Sequence, residues 1–243
     1  KIIYSKVSVF SSSKLINTFF QNYSSEQKSL ILKVKKNYYF TEIKKLIENF
    51  KKLKVLVIGE TIIDQYFFCD ALGKSGKEPV LVLRNIKTEQ YLGGAAAISR
   101  HLSQFCNKIT LFSMLGEKGE FLEEIKNNLP KNVKFTYINK KNSPTIVKKR
   151  FLDNVSNHKV LGVYTINDDV LTDNEEILFN KKLKKLLSIH DLIIVSDYGH
   201  GLISSKSSEI ICKNSKYLAL NAQINAANVG YHSMRKYKNV DSV

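Results

Sequence analysis

The sequence predicts a doubly wound α/β domain over residues 54–243, with a small β appendage, behind a helical lead over residues 1–53. Three observations carry this prediction. Short, mostly β-branched apolar runs close on glycine or a small polar residue: Val55-Leu56-Val57-Ile58 before Gly59, and Leu192-Ile193-Ile194-Val195 before Ser196. Runs without polar alternation suit strands buried on both faces of a parallel sheet. Helical patterns alternate with them, as in Ala95 to Gln104 and Asp173 to Leu187, which is the signature of strand–helix–strand units. Extra strand-like pairs sit between these units and supply the appendage.

The elements follow in order. Residues 12–20 can start a short helix, and Ser24 with Gln27 forms a capping box for a helix over roughly 25–36. Thr41 is placed to cap another helix, in which Ile43, Leu46, Ile47 and Phe50 recur at helical spacing. After the strand Val55–Ile58 come Tyr66–Cys69 and Pro79–Leu83, joined by Gly73-Lys74-Ser75-Gly76-Lys77-Glu78 as a hairpin connection. Gly93-Gly94 opens the small-residue helix. Ile109–Ser113 is a strand, a helix lies near 119–128, and Val133–Ile138 is a strand. Thr145–Phe151 and Val160–Tyr164 read as a strand pair. The helix 173–187, the strand 192–195, a short helix 206–213 and the strand Tyr217–Leu220 complete the pattern. Asn239–Val243 looks like the opening of a further strand, and the first residue is Lys1, so the chain reads as a piece cut at both ends.

Composition excludes several classes. At 43% hydrophobic the chain is too apolar to be disordered. No apolar run approaches the roughly 20 residues of a membrane-spanning helix. Cys69, Cys106 and Cys212 are odd in number and lack CxxC spacing, which argues against a disulfide framework or a zinc site and makes a reducing cytoplasm the expected location. The net charge of +16 points first to a polyanionic partner, yet only four of the 38 basic residues are arginines. Nucleic-acid readers favour arginine forks, so a lysine-rich coding bias explains most of the charge and nucleic acid is not the expected partner. The excess is uneven: residues 1–54 hold twelve lysines and three glutamates, leaving room for a basic patch there.

Ligands of open α/β sheets bind at the carboxyl ends of the strands. Three such ends carry candidate chemistry. Gly59-Glu60-Thr61-Ile62-Ile63-Asp64 places a carboxylate, Asp64, where it can accept hydroxyl hydrogens from a polar substrate or merely solvate a turn. Gly93-Gly94-Ala95-Ala96-Ala97 lets a ligand approach backbone N–H groups, or serves only tight helix packing. Ser196-Asp197-Tyr198-Gly199-His200-Gly201 sets Asp197 just past a buried strand, as a site residue or as a cap. His200 has no orienting partner nearby in sequence and reads as a surface-loop histidine. The other histidines lack metal-ligand spacing, and neither a GxSxG elbow nor a Walker loop occurs.

Taken in order, six landmarks resemble the ribokinase-like, PfkB-type carbohydrate kinases, nearest to their heptose-phosphate kinase branch. They are Gly59–Asp64, Lys77-Glu78-Pro79-Val80, Gly93–Ala96, Gly116-Glu117-Lys118-Gly119, Pro144-Thr145 with Lys148-Lys149-Arg150, and Ser196–Gly201, spanning residues 54–243. The resemblance implies a ribokinase-like doubly wound sheet with a small β lid, truncated at its C-terminal side. It implies that Asp64 holds sugar hydroxyls and that Gly93 and Gly94 let the sugar approach the backbone. Glu78 then lies on the lid near the sugar phosphate, Lys149 and Arg150 meet a phosphate, and Asp197 faces the cleft. ATP would donate its γ-phosphoryl to a sugar hydroxyl with Mg2+ present. The family's catalytic aspartate, in a Gly-Ala-Gly-Asp motif, would lie beyond Val243, so no residue of the chain is assigned as catalytic and the fragment alone is expected to be inactive. Lid strands of this family pair between subunits, which implies a homodimer.

Two departures from the family pattern bear on function. Ala97 stands where the family has asparagine, and it cannot make the side-chain hydrogen bond. Residues 220–232 carry three asparagines and a glutamine where the family has a charged segment. These keep a second reading open, a non-catalytic carbohydrate-binding or regulatory member of the same fold. Ser11–Ile16 is similar to the end of a cytidylyltransferase-like domain, so residues 1–53 are either that or a helical linker.

Overall fold

The computed structural model describes residues 23–223 and 234–243. The expected helix over 12–20, the cytidylyltransferase-like likeness at 11–16 and most of the amide-rich segment 220–232 lie outside the described residues. The chain divides into two compact units between Glu48 and Asn49. The leading unit carries helix α1, Ser25–Asn37, and the start of α2, Phe40–Phe50. The Ser24/Gln27 capping box forms as read, each side chain bonding the other's backbone N–H. Thr41 does not cap α2. The helix starts one residue earlier, and Glu42 reaches back to the Tyr39 N–H at 2.8 Å instead.

The second unit holds two sheets. The body sheet has the order β5-β4-β1-β8-β9 and is parallel throughout: β1 Lys54–Gly59, β4 Lys108–Gly116, β5 Val133–Lys140, β8 Leu192–Asp197 and β9 Leu218–Ala222. Alternation along β1 shows why its apolar run is unbroken. Leu56 and Ile58 pack into one core with Phe112, Phe179, Leu183 and Ile211, while Val55 and Val57 pack into another with Ala95, Ala96, Leu111 and Ile125. Helices α5 (Asp173–Leu187) and α6 (Ser205–Asn214) contribute to the first core, and α3 (Gly94–Leu102) and α4 (Leu122–Asn128) to the second. Burial on both faces is the doubly wound arrangement. Gly59 is required where β1 meets β8, because a Cβ there would lie 2.1 Å from the Ser196 carbonyl oxygen. Beyond β9, Ser242 makes a parallel bridge to Ala219, in keeping with the strand-like reading of the last residues.

The lid sheet has the order β3-β2-β6-β7, with β2 Thr61–Lys74, β3 Leu81–Gly93, β6 Val147–Asp153 and β7 Lys159–Thr165. β2 pairs antiparallel with β3 and parallel with β6, and β7 is antiparallel to β6. The strand expected at Tyr66–Cys69 is the middle of a 14-residue strand that leaves β1 after a single residue, Glu60. Its polar members, Asp64, Gln65 and Asp70, hide that length from an apolar-run reading.

Candidate functional site

The chain order β1–β4–β5 runs to one side of the body sheet and β8–β9 to the other, so the carboxyl ends of β1 and β8 border a topological switch point. Glu60 sits at that point and is fully buried. Its carboxylate accepts the backbone N–H groups of Tyr198 (3.0 Å) and His200 (3.2 Å), fastening the loop after β8 to the end of β1. Burial, and then the Asp197 charge, push its carboxyl up to about 7.

Strand register decides which lid residues share a face. Asp64 pairs with Tyr91 of β3 and Lys148 of β6, and Lys148 pairs with Tyr164 of β7. Two residues on, Tyr66 pairs with Arg150. Directly paired residues point to the same face, and so do residues two apart. Asp64, Tyr66, Lys148, Arg150 and Tyr164 therefore share one face, and their contacts agree. Arg150 donates from its guanidinium to the Asp64 carboxylate and lies over the Tyr66 ring at 5.3 Å. The Lys148 ammonium lies 5.6 Å from the Tyr164 ring centroid and 5.9 Å from that of Tyr198, in the loop after β8. Lys148 is buried, and that burial pulls its pKa down despite the nearby Asp64 charge. Burial also opposes the Arg150 charge, but the Asp64 hydrogen bond and charge outweigh it and raise the guanidinium pKa.

The structure brings four of the sequence-predicted residues together. Gly93 lies against Asp64, since a Cβ on it would sit 2.1 Å from Oδ2. Gly94 has φ +59 and would drive a Cβ to 2.3 Å from the Glu60 carbonyl oxygen, so the turn into α3 demands glycine. Arg150 completes the group. Ala97 is half-buried in the early part of α3, and its methyl adds no polar group.

The remaining three are placed elsewhere. Lys149 pairs with Gln65 on the opposite face of the lid, so the two cations on the Asp64 face are Lys148 and Arg150 rather than Lys149 and Arg150. Glu78 is exposed in the hairpin turn beyond Lys74, ten residues up β2 from Asp64, about 33 Å of strand at ~3.3 Å per residue. Asp197 is buried and engaged by its own chain: Lys236 Nζ lies 2.7 Å from Oδ2, Tyr237 donates its hydroxyl at 2.6 Å, and the Gly199 N–H donates to Oδ1 at 3.0 Å. Burial and the Asp197 charge push the Tyr237 phenol far up, so it stays protonated.

His200 corrects the surface-loop reading. It is fully buried, and Asp168 orients its ring through Nδ1 at 2.6 Å, from 32 residues earlier in sequence. Burial lowers its pKa although Asp168 opposes the shift. Sequence reasoning also missed Lys148. The signal was available in the period-two alternation of β6, which sets Lys148 and Arg150 on one side and Lys149 on the other.

Among the described residues, no helix is long and apolar enough to cross a membrane. No family model matches the chain. The chain is 30% identical over 172 residues to the bifunctional protein HldE of Campylobacter jejuni subsp. doylei, which covers 69% of this chain and 34% of the relative. It is 26% identical over 165 residues to the D-beta-D-heptose 7-phosphate kinase of Bordetella bronchiseptica, covering 67% of this chain and 51% of the relative. The chain thus spans between about a third and a half of the curated relatives it matches. Escherichia coli phosphofructokinase-2 in complex with fructose-6-phosphate superposes with a TM-score of 0.54 at 13% identity, over 72% of this chain and 57% of that one. Arabidopsis thaliana ribokinase complexed with ribose and ATP gives 0.50 at 14% identity, over 69% and 53%. The fold is that of the ribokinase-like sugar kinases.

Proposed function

Starting from a chain that is a homologue of the heptose-phosphate kinases and has the ribokinase-like fold, we propose that it is the sugar-binding part of an enzyme that transfers a phosphoryl group from ATP to a sugar phosphate, heptose phosphate included. One observation carries this reading. A carboxylate that can accept hydroxyls, Asp64, stands on the same lid face as two cations, Lys148 and Arg150, with glycine backbone against it. Hydroxyls and a phosphate on one small molecule match that set. Arginine suits bidentate phosphate recognition, and a desolvated lysine gains most from an anion beside it. Gly93 and Gly94 let the sugar close on the backbone. Such chemistry needs mainly positioning and charge neutralisation.

On this reading residues 54–243 bind the sugar and residues 1–53 are a helical lead. ATP is the co-substrate, with Mg2+ as the ion that accompanies its phosphates. Among the described residues no group of three or more His, Cys, Asp or Glu side chains is placed to hold a metal ion, so no residue here is assigned to Mg2+. A cytoplasmic location fits a sugar-phosphate substrate. The exposed lid side chains Val160, Leu161 and Val163 of β7, with Leu81 and Val82 of β3, support pairing of lids between two copies.

The test is ADP formation by the whole protein with a panel of heptose and hexose phosphates. Turnover on at least one is expected. No turnover on any, with sugar binding retained, would replace the kinase reading by the non-catalytic one that Ala97 leaves open.

A further inference from the structure

Asp64 is the hydroxyl acceptor of the proposed site, yet neither of its oxygens is freely presented. Arg150 engages Oδ1 through its guanidinium, and Oδ2 lies against the backbone of Gly93. The pair is drawn out of water, with the Arg150 and Asp64 side chains only 16% and 18% exposed. Lys148 stands beside them on the same face, so Arg150 has a like charge as neighbour and Asp64 as its counter-charge.

This arrangement sets a condition on the ligand. A neutral sugar could replace Arg150 at Asp64 with hydroxyls, but it would leave a partly buried guanidinium without its carboxylate and next to Lys148. Stranding a partly desolvated charge is costly. A ligand that also carries an anion gives Arg150 a new partner as it gives Asp64 new donors, and both charges stay satisfied. Resting on the kinase reading above, we infer that the Asp64–Arg150 ion pair is a specificity lock, opened by partner exchange. The substrate's anionic group draws Arg150 away, and only then does Asp64 accept the sugar hydroxyls. Arg150 is thus a specificity-determining residue that rejects neutral sugars, in addition to binding phosphate.

The lock has a consequence that simple phosphate binding lacks. Inorganic phosphate, by occupying Arg150 and Lys148, should promote binding of a neutral sugar at Asp64. The experiment is calorimetric titration of the purified protein with a neutral hexose or heptose, with its phosphate ester, and with the neutral sugar at saturating inorganic phosphate. Wild type should bind the ester, bind the neutral sugar at least about tenfold more weakly, and recover neutral-sugar affinity when phosphate is added. Arg150→Gln should bind the neutral sugar more tightly than wild type and the ester about tenfold to a hundredfold more weakly.

If wild type phosphorylates the ester while phosphate leaves neutral-sugar affinity unchanged or lowers it, the lock is overturned and the kinase reading stands. Equal weakening of both ligands in Arg150→Gln also overturns the lock alone. Failure of wild type to bind ester or sugar under any of the three conditions overturns both. The phosphate arm uses the unaltered protein, so the inference is tested even if the variant does not fold.

Discussion

The body sheet and the lid sheet both carry apolar side chains, but they bury them differently. Every residue of β1 after Lys54 is buried, whereas every residue of β7 is exposed, Val160, Leu161 and Val163 included. The body sheet is covered on both faces by helices, while the lid is a single layer. Their charges differ in the same way. In the body, Asp197 is enclosed by Lys236, Tyr237 and the Gly199 N–H, all from its own chain. On the lid, Asp64 has one side-chain partner among the described residues, Arg150, and both remain partly open to solvent. Stability resides in the body, and exchangeable polar contacts reside on the lid.

Mutations that respect or violate this division should separate sharply. The largest effect is expected in the body core. Phe179 stacks on Phe112 at 4.6 Å between ring centroids, with both fully buried. Phe179→Ala should cost about 3–5 kcal/mol in denaturant unfolding; a cost below about 1 kcal/mol would show that the body core is loosely packed.

Next comes the enclosed carboxylate. Asp197→Asn removes the counter-charge of Lys236 and should destabilise by roughly 3 kcal/mol. Its readout is the unfolding midpoint, measured alongside sugar-phosphate binding. A protein of undiminished stability that has lost binding would move Asp197 from the fold to the site.

Glu60 gives a pH signature. Its carboxyl is pushed from the ordinary 4.5 to about 7 in the folded chain, first by burial and then by Asp197. The folded state therefore holds a proton that the unfolded state releases between those values. The stability this contributes is fully present below 4.5 and is lost as pH rises through about 7. The thermal midpoint should decline across that window, and Glu60→Gln should remove this component of the slope. An unchanged slope in the variant would assign the pH dependence to other groups.

The smallest effect belongs to the lid surface. Leu161→Ser on β7 should change monomer stability by no more than about 0.5 kcal/mol. A further loss that depends on protein concentration is expected from the lid pairing proposed above, and its absence would contradict that pairing.

The sequence revealed the buried body better than the lid, for a physical reason. Strands such as Val55–Ile58 and Leu192–Val195 are buried on both sides, so burial writes itself as an unbroken apolar run. The Ser24/Gln27 cap was equally legible because its partners are three residues apart. The lid strand β2 alternates faces and carries Asp64, Gln65 and Asp70, so only its apolar middle stood out. The same alternation separates Lys149 from Arg150, a distinction that a basic triplet read as a cluster does not make. The His200–Asp168 contact joins residues 32 apart, beyond the reach of any local pattern. Asp64, Gly93, Gly94 and Arg150 were legible by motif order, and register brought them together with Lys148.

The central claim is that the lid face bearing Asp64, Lys148 and Arg150 receives the sugar phosphate. The most direct measurement compares sugar-phosphate affinity in Lys148→Met and Lys149→Met, two adjacent and chemically identical substitutions on opposite faces of β6. The account predicts that Lys148→Met weakens binding about tenfold or more while Lys149→Met leaves it within about twofold. Equal losses, or a loss confined to Lys149→Met, would contradict it.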